Sequence, residues 1–282
     1  MPRRSISRCT TLAGTGLHTG IDCEVRFSPA ESGARIKFRR VDLPGTPDVL
    51  AMVENVVATD YRTQLGVGEA GIETTEHALA AVAALEIDDL LIEVAGPELP
   101  IFDGSARPYF DALHRAGLKQ TPGDVSQVEV LDVFSVSVGD ASYEVRPADT
   151  GRISVSIEWD HPAIGVQSRS FDLSTSTFEK ELADARTFGF LSEAADLIQL
   201  GLIKGANFDN VVVLTESGVK GTKLRWPDEF VRHKATDLMG DLCLLGSRLR
   251  GEISAHRPSH LGNIALVRAL KQQIIDYGIS SR

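Results

Sequence analysis

His233 and Asp237, four residues apart in the stretch PDEFVRHKATDLMGDL, have the types and the spacing to hold a metal ion. On a helix, residues i and i+4 share a face, so an imidazole and a carboxylate there converge on one point. Taken alone, the pair is equally an exposed surface contact. Glu76 and His77 open another helical pattern, IETTEHALAAVAAL. Neighbours on a helix point about 100° apart, so one can ligate an ion while the other reaches its water. The alternative is a favourable first-turn acid beside a partly buried ring. His256 and His260, in EISAHRPSHLGN, fall in a loop ahead of a last helix, where a histidine is open to proton transfer or is merely solvated. Together His77, His233 and Asp237 form a set of two imidazoles and one carboxylate. Three protein ligands leave a fourth position for water, the arrangement of catalytic rather than structural zinc. Glu76 would take a proton and His260 would give one, which is metal-assisted hydrolysis of an amide or ester.

These residues need elements to carry them. Val231, Ala235, Leu238, Leu242 and Leu245 recur at steps of three and four beside the His/Asp stripe, and Pro227 and Asp228 fit a helix start. Thr74 or Thr75 would cap a helix running through Leu85. Before it, CEVRFSPA, ARIKFRR and DVLAMVENVVA alternate as strands do. The glycines of GTGLHTG miss the dinucleotide-loop spacing, so this stretch reads as a hairpin turn and His18 as structural. DLLIEV is a buried strand, followed by a helix capped by Asp103 or Ser105 and ended by Gly117. The polar LKQTPGDVSQ reads as a linker, after which VEVLDVFSVSV, SYEVRP and RISVSIEW resume the strands. Beyond ARTFGF, two strand-like pieces around a helix are either plain core or an inserted βαβ unit at about 188–215. Asn263 would cap a final helix ended by Gly278. The expectation is an α+β fold of two domains, 1–120 and 127–282, with no clear internal sequence repeat.

Composition limits the partners. A chain of 282 residues with 43% hydrophobic residues can bury a large core. Its net charge of -10 argues against a broad nucleic-acid surface, though a local basic pocket can still hold a phosphorylated small molecule. Three cysteines without a CxxC pair fit a reducing compartment. The longest apolar tract is broken by Glu86, Asp88 and Asp89, and the basic start lacks a secretory apolar region. A cytoplasmic protein with no integral membrane segment is expected.

TTEHALAAVAALEIDDLLIEV, PELPIFDGSA, ARTFGF, FVRHKATDLMGDL and the SH of RPSHLGN, with GTGLHTG and WDHPAI, closely resemble the motifs of the UDP-3-O-acyl-N-acetylglucosamine deacetylases, in collinear order along essentially the whole chain. That family acts early in bacterial lipid A biosynthesis. The resemblance implies Zn2+ on His77, His233 and Asp237, with Glu76 as general base and His260 as general acid or electrostatic stabiliser. It also implies that Asp241 orients His260, that Lys234 assists with substrate charge, that the Thr187 hydroxyl stabilises the oxyanion and that Phe188 lines an apolar pocket. The implied fold is a two-layer sandwich of two similar α+β domains with the active site between them. The insert after RTFGF would be a passage for the acyl chain, and the protein is expected to be a monomer acting on the UDP-linked glycolipid precursor. Arg186, Lys204, Arg232 and Arg257 are further candidates for the diphosphate. Among the departures from the family are Arg257-Pro258-Ser259 before His260 and the absence of a cysteine in YRTQLGVGEAG. Two other readings remain: a metal hydrolase of another N-acylated metabolite, or a binding module without turnover.

Overall fold

The computed structural model describes residues 2–125 and 127–276, with side chains through residue 273. The first half comprises β1 (Pro2–Ile6), β2 (Thr10–Thr15), β3 (Asp22–Pro29), β4 (Ile36–Arg40), β5 (Asp48–Leu50), α1 (Glu76–Ala84), β6 (Leu90–Ala95), α2 (Arg107–Arg115) and β7 (Leu118–Asp124). Its main sheet has the order β2-β3-β6-β4-β5. All its pairings are antiparallel except β4 with β6. Alternation decides which face is covered: Cys23, Val25 and Phe27 of β3 and Leu90, Ile92 and Val94 of β6 point inward under the helices.

LKQTPGDVSQ is not a free linker. Its first seven residues form β7, which pairs antiparallel with β1. The strand is exposed along nearly its whole length, so no apolar alternation marks it, and its backbone pairing with the N-terminal strand is what orders it.

The second half comprises β8 (Phe134–Val138), β9 (Ala141–Arg146), β10 (Arg152–Trp159), β11 (Gly165–Asp172), β12 (Phe188–Phe190), α3 (Ala194–Gln199), β13 (Val212–Thr215), β14 (Gly218–Lys220), α4 (Glu229–Leu242), β15 (Glu252–His256) and α5 (His260–Asp276). Its sheet order is β8-β9-β15-β10-β11, antiparallel except for β10 with β15. A hairpin, a central parallel pair and an antiparallel edge therefore occur in the same order in both sheets. β12 and β13 are parallel with α3 between them, and β14 closes this small sheet.

α1 and α4 pack on each other at the centre of the molecule. Position explains their composition. Eight of nine residues of α1 and thirteen of fourteen of α4 are buried, Lys234 being α4's exception. A Cβ on Gly240 would sit 2.1 Å from the Glu76 carbonyl oxygen, so only glycine lets the two backbones approach this closely.

The last helix begins four residues earlier than its capping pattern predicts. α5 starts at His260, so Asn263 lies inside the first turn and is no cap, and His260 is buried rather than looped into solvent. His256 is exposed on β15. Gly278 lies outside the described residues.

Candidate active site

The site is assembled where the N-terminal turn of α1, the middle of α4 and the start of α5 meet. Thr75 occupies the N-cap position of α1 but makes no side-chain cap. Its hydroxyl donates to the Thr63 carbonyl at 3.2 Å instead, pinning the preceding loop across the helix start. At the head of α4, buried Arg186 donates to Glu229 at 2.8 Å and thereby fixes the chain leading into Thr187 and Phe188.

His77, His233 and Asp237 converge, with one ligand atom from each lying within 4.8 Å of the others. Asp237 Oδ1 is 3.3 Å from His233 Nε2 and 3.8 Å from His77 Nε2. The chemistry of this donor set fits a cation. Asp237 Oδ1 is buried without a hydrogen-bond partner, and His233 Nδ1–H donates to the Ala185 carbonyl at 3.1 Å, which turns Nε2 toward the cluster. Burial pushes His77 down to about 3, the neighbouring His233 adding to it, and burial likewise lowers His233. Both rings are thus neutral at pH 7, with lone pairs available.

Across the cavity stand Glu76 and His260. Burial raises the Glu76 carboxyl to about 7, against the opposing pull of His260. Burial by itself would lower His260, but the charge of Asp241 and the hydrogen bond to it outweigh that and raise the ring to about 9. His260 Nδ1 lies 2.8 Å from Asp241 Oδ2, and His260 Nε2 lies 3.9 Å from Glu76 Oε1.

A cavity of about 120 Å³ is lined by Glu76, His77, His233, Lys234, Asp237 and His260, together with Thr187 and Phe188. Asp241 is buried behind His260 and does not reach the cavity. Lys234 Nζ donates to Asp237 Oδ2 at 3.1 Å and lies 5.8 Å from the Phe188 ring centre. Phe188 stands edge-on to Phe230 and His233, so it walls the cluster of His77, His233 and Asp237 with apolar surface.

Two of the proposed phosphate cations are otherwise engaged. Arg186 is held by Glu229, and Arg232 by Asp228 and Glu181; both are buried. Arg257 lies 4.0 Å from Asp140, and Lys204 packs on the turn carrying His18. His18 itself is more than the structural turn residue its sequence indicates. It lines the cavity, its ring nitrogens make no well-formed hydrogen bond, and burial lowers it to about 4. Fully buried Glu98 accepts from the His18 and Thr19 amides and the Thr74 hydroxyl, which fixes this turn. The signal was a histidine flanked by turn glycines, and glycine spacing alone cannot report it.

An α+β scaffold presenting a buried two-histidine, one-carboxylate group that could hold a metal ion, beside a carboxyl–imidazole pair, fits the hydrolase class. A family profile described as LpxC, UDP-3-O-acyl N-acetylglycosamine deacetylase, matches residues 3–272. Proteins named UDP-3-O-acyl-N-acetylglucosamine deacetylase from Brucella melitensis biotype 2, Brucella ovis and Brucella abortus strain S19 are each 39% identical over 270 residues, covering 95% of this chain and 94% of theirs. The chain belongs to the UDP-3-O-acyl-N-acetylglucosamine deacetylase family.

Proposed function

We propose that this protein is a zinc-dependent hydrolase that removes the N-acetyl group of UDP-3-O-(3-hydroxyacyl)-N-acetylglucosamine, releasing acetate early in lipid A biosynthesis. The observation that carries the reading is the convergence of His77, His233 and Asp237 within 4.8 Å beside the Glu76–His260 pair. These three side chains would hold the zinc, which when bound supplies Lewis acidity toward water and the amide carbonyl.

The chain's own groups account for the proton movements. Glu76 Oε1 takes a proton from the attacking water as the new C–O bond forms. His260, protonated on both nitrogens at neutral pH, gives its Nε2 proton to the sugar nitrogen as the C–N bond breaks. A base near 7 and an acid near 9 suit these tasks, and Asp241 keeps the His260 ring turned to the substrate. The Thr187 hydroxyl donates to the carbonyl oxygen as charge builds there, and Lys234 adds positive charge on the same side. The exposed apolar residues Leu191, Ile198 and Leu200 around α3 support an acyl passage, since each buried CH₂ contributes about 0.8 kcal/mol. The same reading takes residues 1–120 and 127–282 as two domains of a cytoplasmic monomer, with 188–215 as the insert. Among the described residues no helix is long and apolar enough to cross a membrane.

Acetate release by metal-depleted protein, with and without added zinc, tests this reading. Activity should return with one equivalent. His233→Ala should lose both metal and activity, while Glu76→Ala should keep the metal and lose about 10²–10⁴-fold in turnover. Full activity in His233→Ala with stoichiometric zinc would overturn the ligand assignment, and unimpaired Glu76→Ala would remove the base.

A further inference from the structure

Thr63 is not among the residues lining the cavity, yet it bonds to Glu76 as well as to Asp241 and His260. It is fully buried. Its amide donates to Glu76 Oε2 at 3.1 Å, which leaves Glu76 Oε1 to face the cavity. Its hydroxyl lies 2.6 Å from Asp241 Oδ1 and 3.2 Å from His260 Nδ1. A threonine hydroxyl has one proton, and the shorter contact with a carboxylate oxygen takes it. The other Asp241 oxygen, Oδ2, accepts from His260 Nδ1 at 2.8 Å and from Asn263 Nδ2 at 2.9 Å. Both Asp241 oxygens are thereby filled, and the carboxylate plane cannot turn. The Thr63 carbonyl, in turn, accepts from the amide and hydroxyl of Thr75 at the head of α1.

We infer that Thr63 is the positioning residue that joins the general base to the acid pair, its amide holding Glu76 and its hydroxyl holding Asp241 and, through it, His260. The inference rests on the roles proposed above for Glu76 and His260. Removing the hydroxyl leaves a fully buried carboxylate oxygen without its donor, and Asp241 then turns with His260. The ring would still be present but aimed wrongly at the leaving nitrogen, a loss felt in turnover and not in substrate binding.

Thr63→Val keeps the shape and the amide and removes only the hydroxyl. Its kcat should fall about 10- to 100-fold, the range seen when a group orienting a site ligand is removed, with KM within about twofold and zinc content unchanged. Thr63→Ser should restore kcat to within about threefold of the parent, since it returns the donor. On a His260→Ala background Thr63→Val should cost nothing further, because its effect passes through that ring. A Thr63→Val enzyme with full kcat overturns the inference, as does the same fold-loss with and without His260. A His260→Ala enzyme with full kcat instead defeats the acid assignment itself, and that variant is read separately. If Thr63→Val does not fold, Thr63→Ala enters the same cycle with the same expected and overturning outcomes.

Discussion

Burial alone would raise the Asp237 carboxyl, yet His233, Lys234, His260 and His77 around it outweigh that cost and hold it well below the ordinary carboxylate range. The opposite balance holds at Glu76, where burial, helped by the charges of Asp241 and Asp237, outweighs the pull of His260. Two carboxylates in one cavity are thus driven apart in proton affinity, the condition for one to ligate while the other exchanges protons. The cysteines follow the same rule. Burial pushes Cys23 and Cys243 up to about 12, whereas exposed Cys9 is lowered by hydrogen bonds from Ser28 and Arg26. Because the thiolate is the nucleophile, a raised pKa means a thiol that is almost fully protonated at pH 7.5. A thiol reagent should therefore modify Cys9 alone at a rapid rate in the native protein and all three cysteines in denaturant. Rapid native labelling of Cys23, read by peptide mass, would contradict the burial.

At the scale of the element, the helix pair α1–α4 sets the geometry of the site. Gly240 is the point of closest approach. A methyl group there meets a backbone oxygen, which cannot move aside as a flexible side chain would. Gly240→Ala gains the roughly 0.5–1 kcal/mol that alanine brings to a helix interior. It loses about 1–3 kcal/mol to overpacking, and it also displaces Glu76 from its partners. Denaturant unfolding should show a net loss of stability, and zinc affinity should fall with it. A more stable Gly240→Ala would mean the helices can part without cost.

Both of these helices were legible from the 3.6-residue period of their apolar residues, and so was the pairing of His233 with Asp237. What the period could not give was depth. Lys234 apart, α4 has no solvent face, because α1 of the first half packs on it as well as β10, β11 and α5 of its own half. The start of α5 was misplaced because Asn263 has the type of a cap, while its amide is used on Asp241 and its oxygen accepts from Tyr143. Thr63 was invisible for a plainer reason. Its partners Asp241 and His260 lie 178 and 197 residues further along, beyond any local pattern.

At the scale of the whole molecule, the two halves repeat one sheet order with no shared sequence signature, so the repeat is carried by topology and apolar alternation alone. The α1–α4 contact lies at the centre of the surface that joins them, and the candidate ligands are divided across it: His77 comes from the first half, His233 and Asp237 from the second. On the proposed reading a bound ion would be a cross-link between halves as well as a reagent. Without it, buried Asp237 keeps an unpartnered oxygen at the centre of that contact. On the proposed reading zinc would bind this arrangement and not the unfolded chain, so free zinc at 100 times its dissociation constant should stabilise the fold by about 2.7 kcal/mol, growing with the logarithm of concentration. A thermal scan with chelator should accordingly show a lower midpoint than one with zinc. His77→Ala should show nearly the same midpoint in both, because the ligand from the first half is gone. A chelator shift that survived in His77→Ala would place the stabilising ion elsewhere and break the link between the metal and the joining of the two halves.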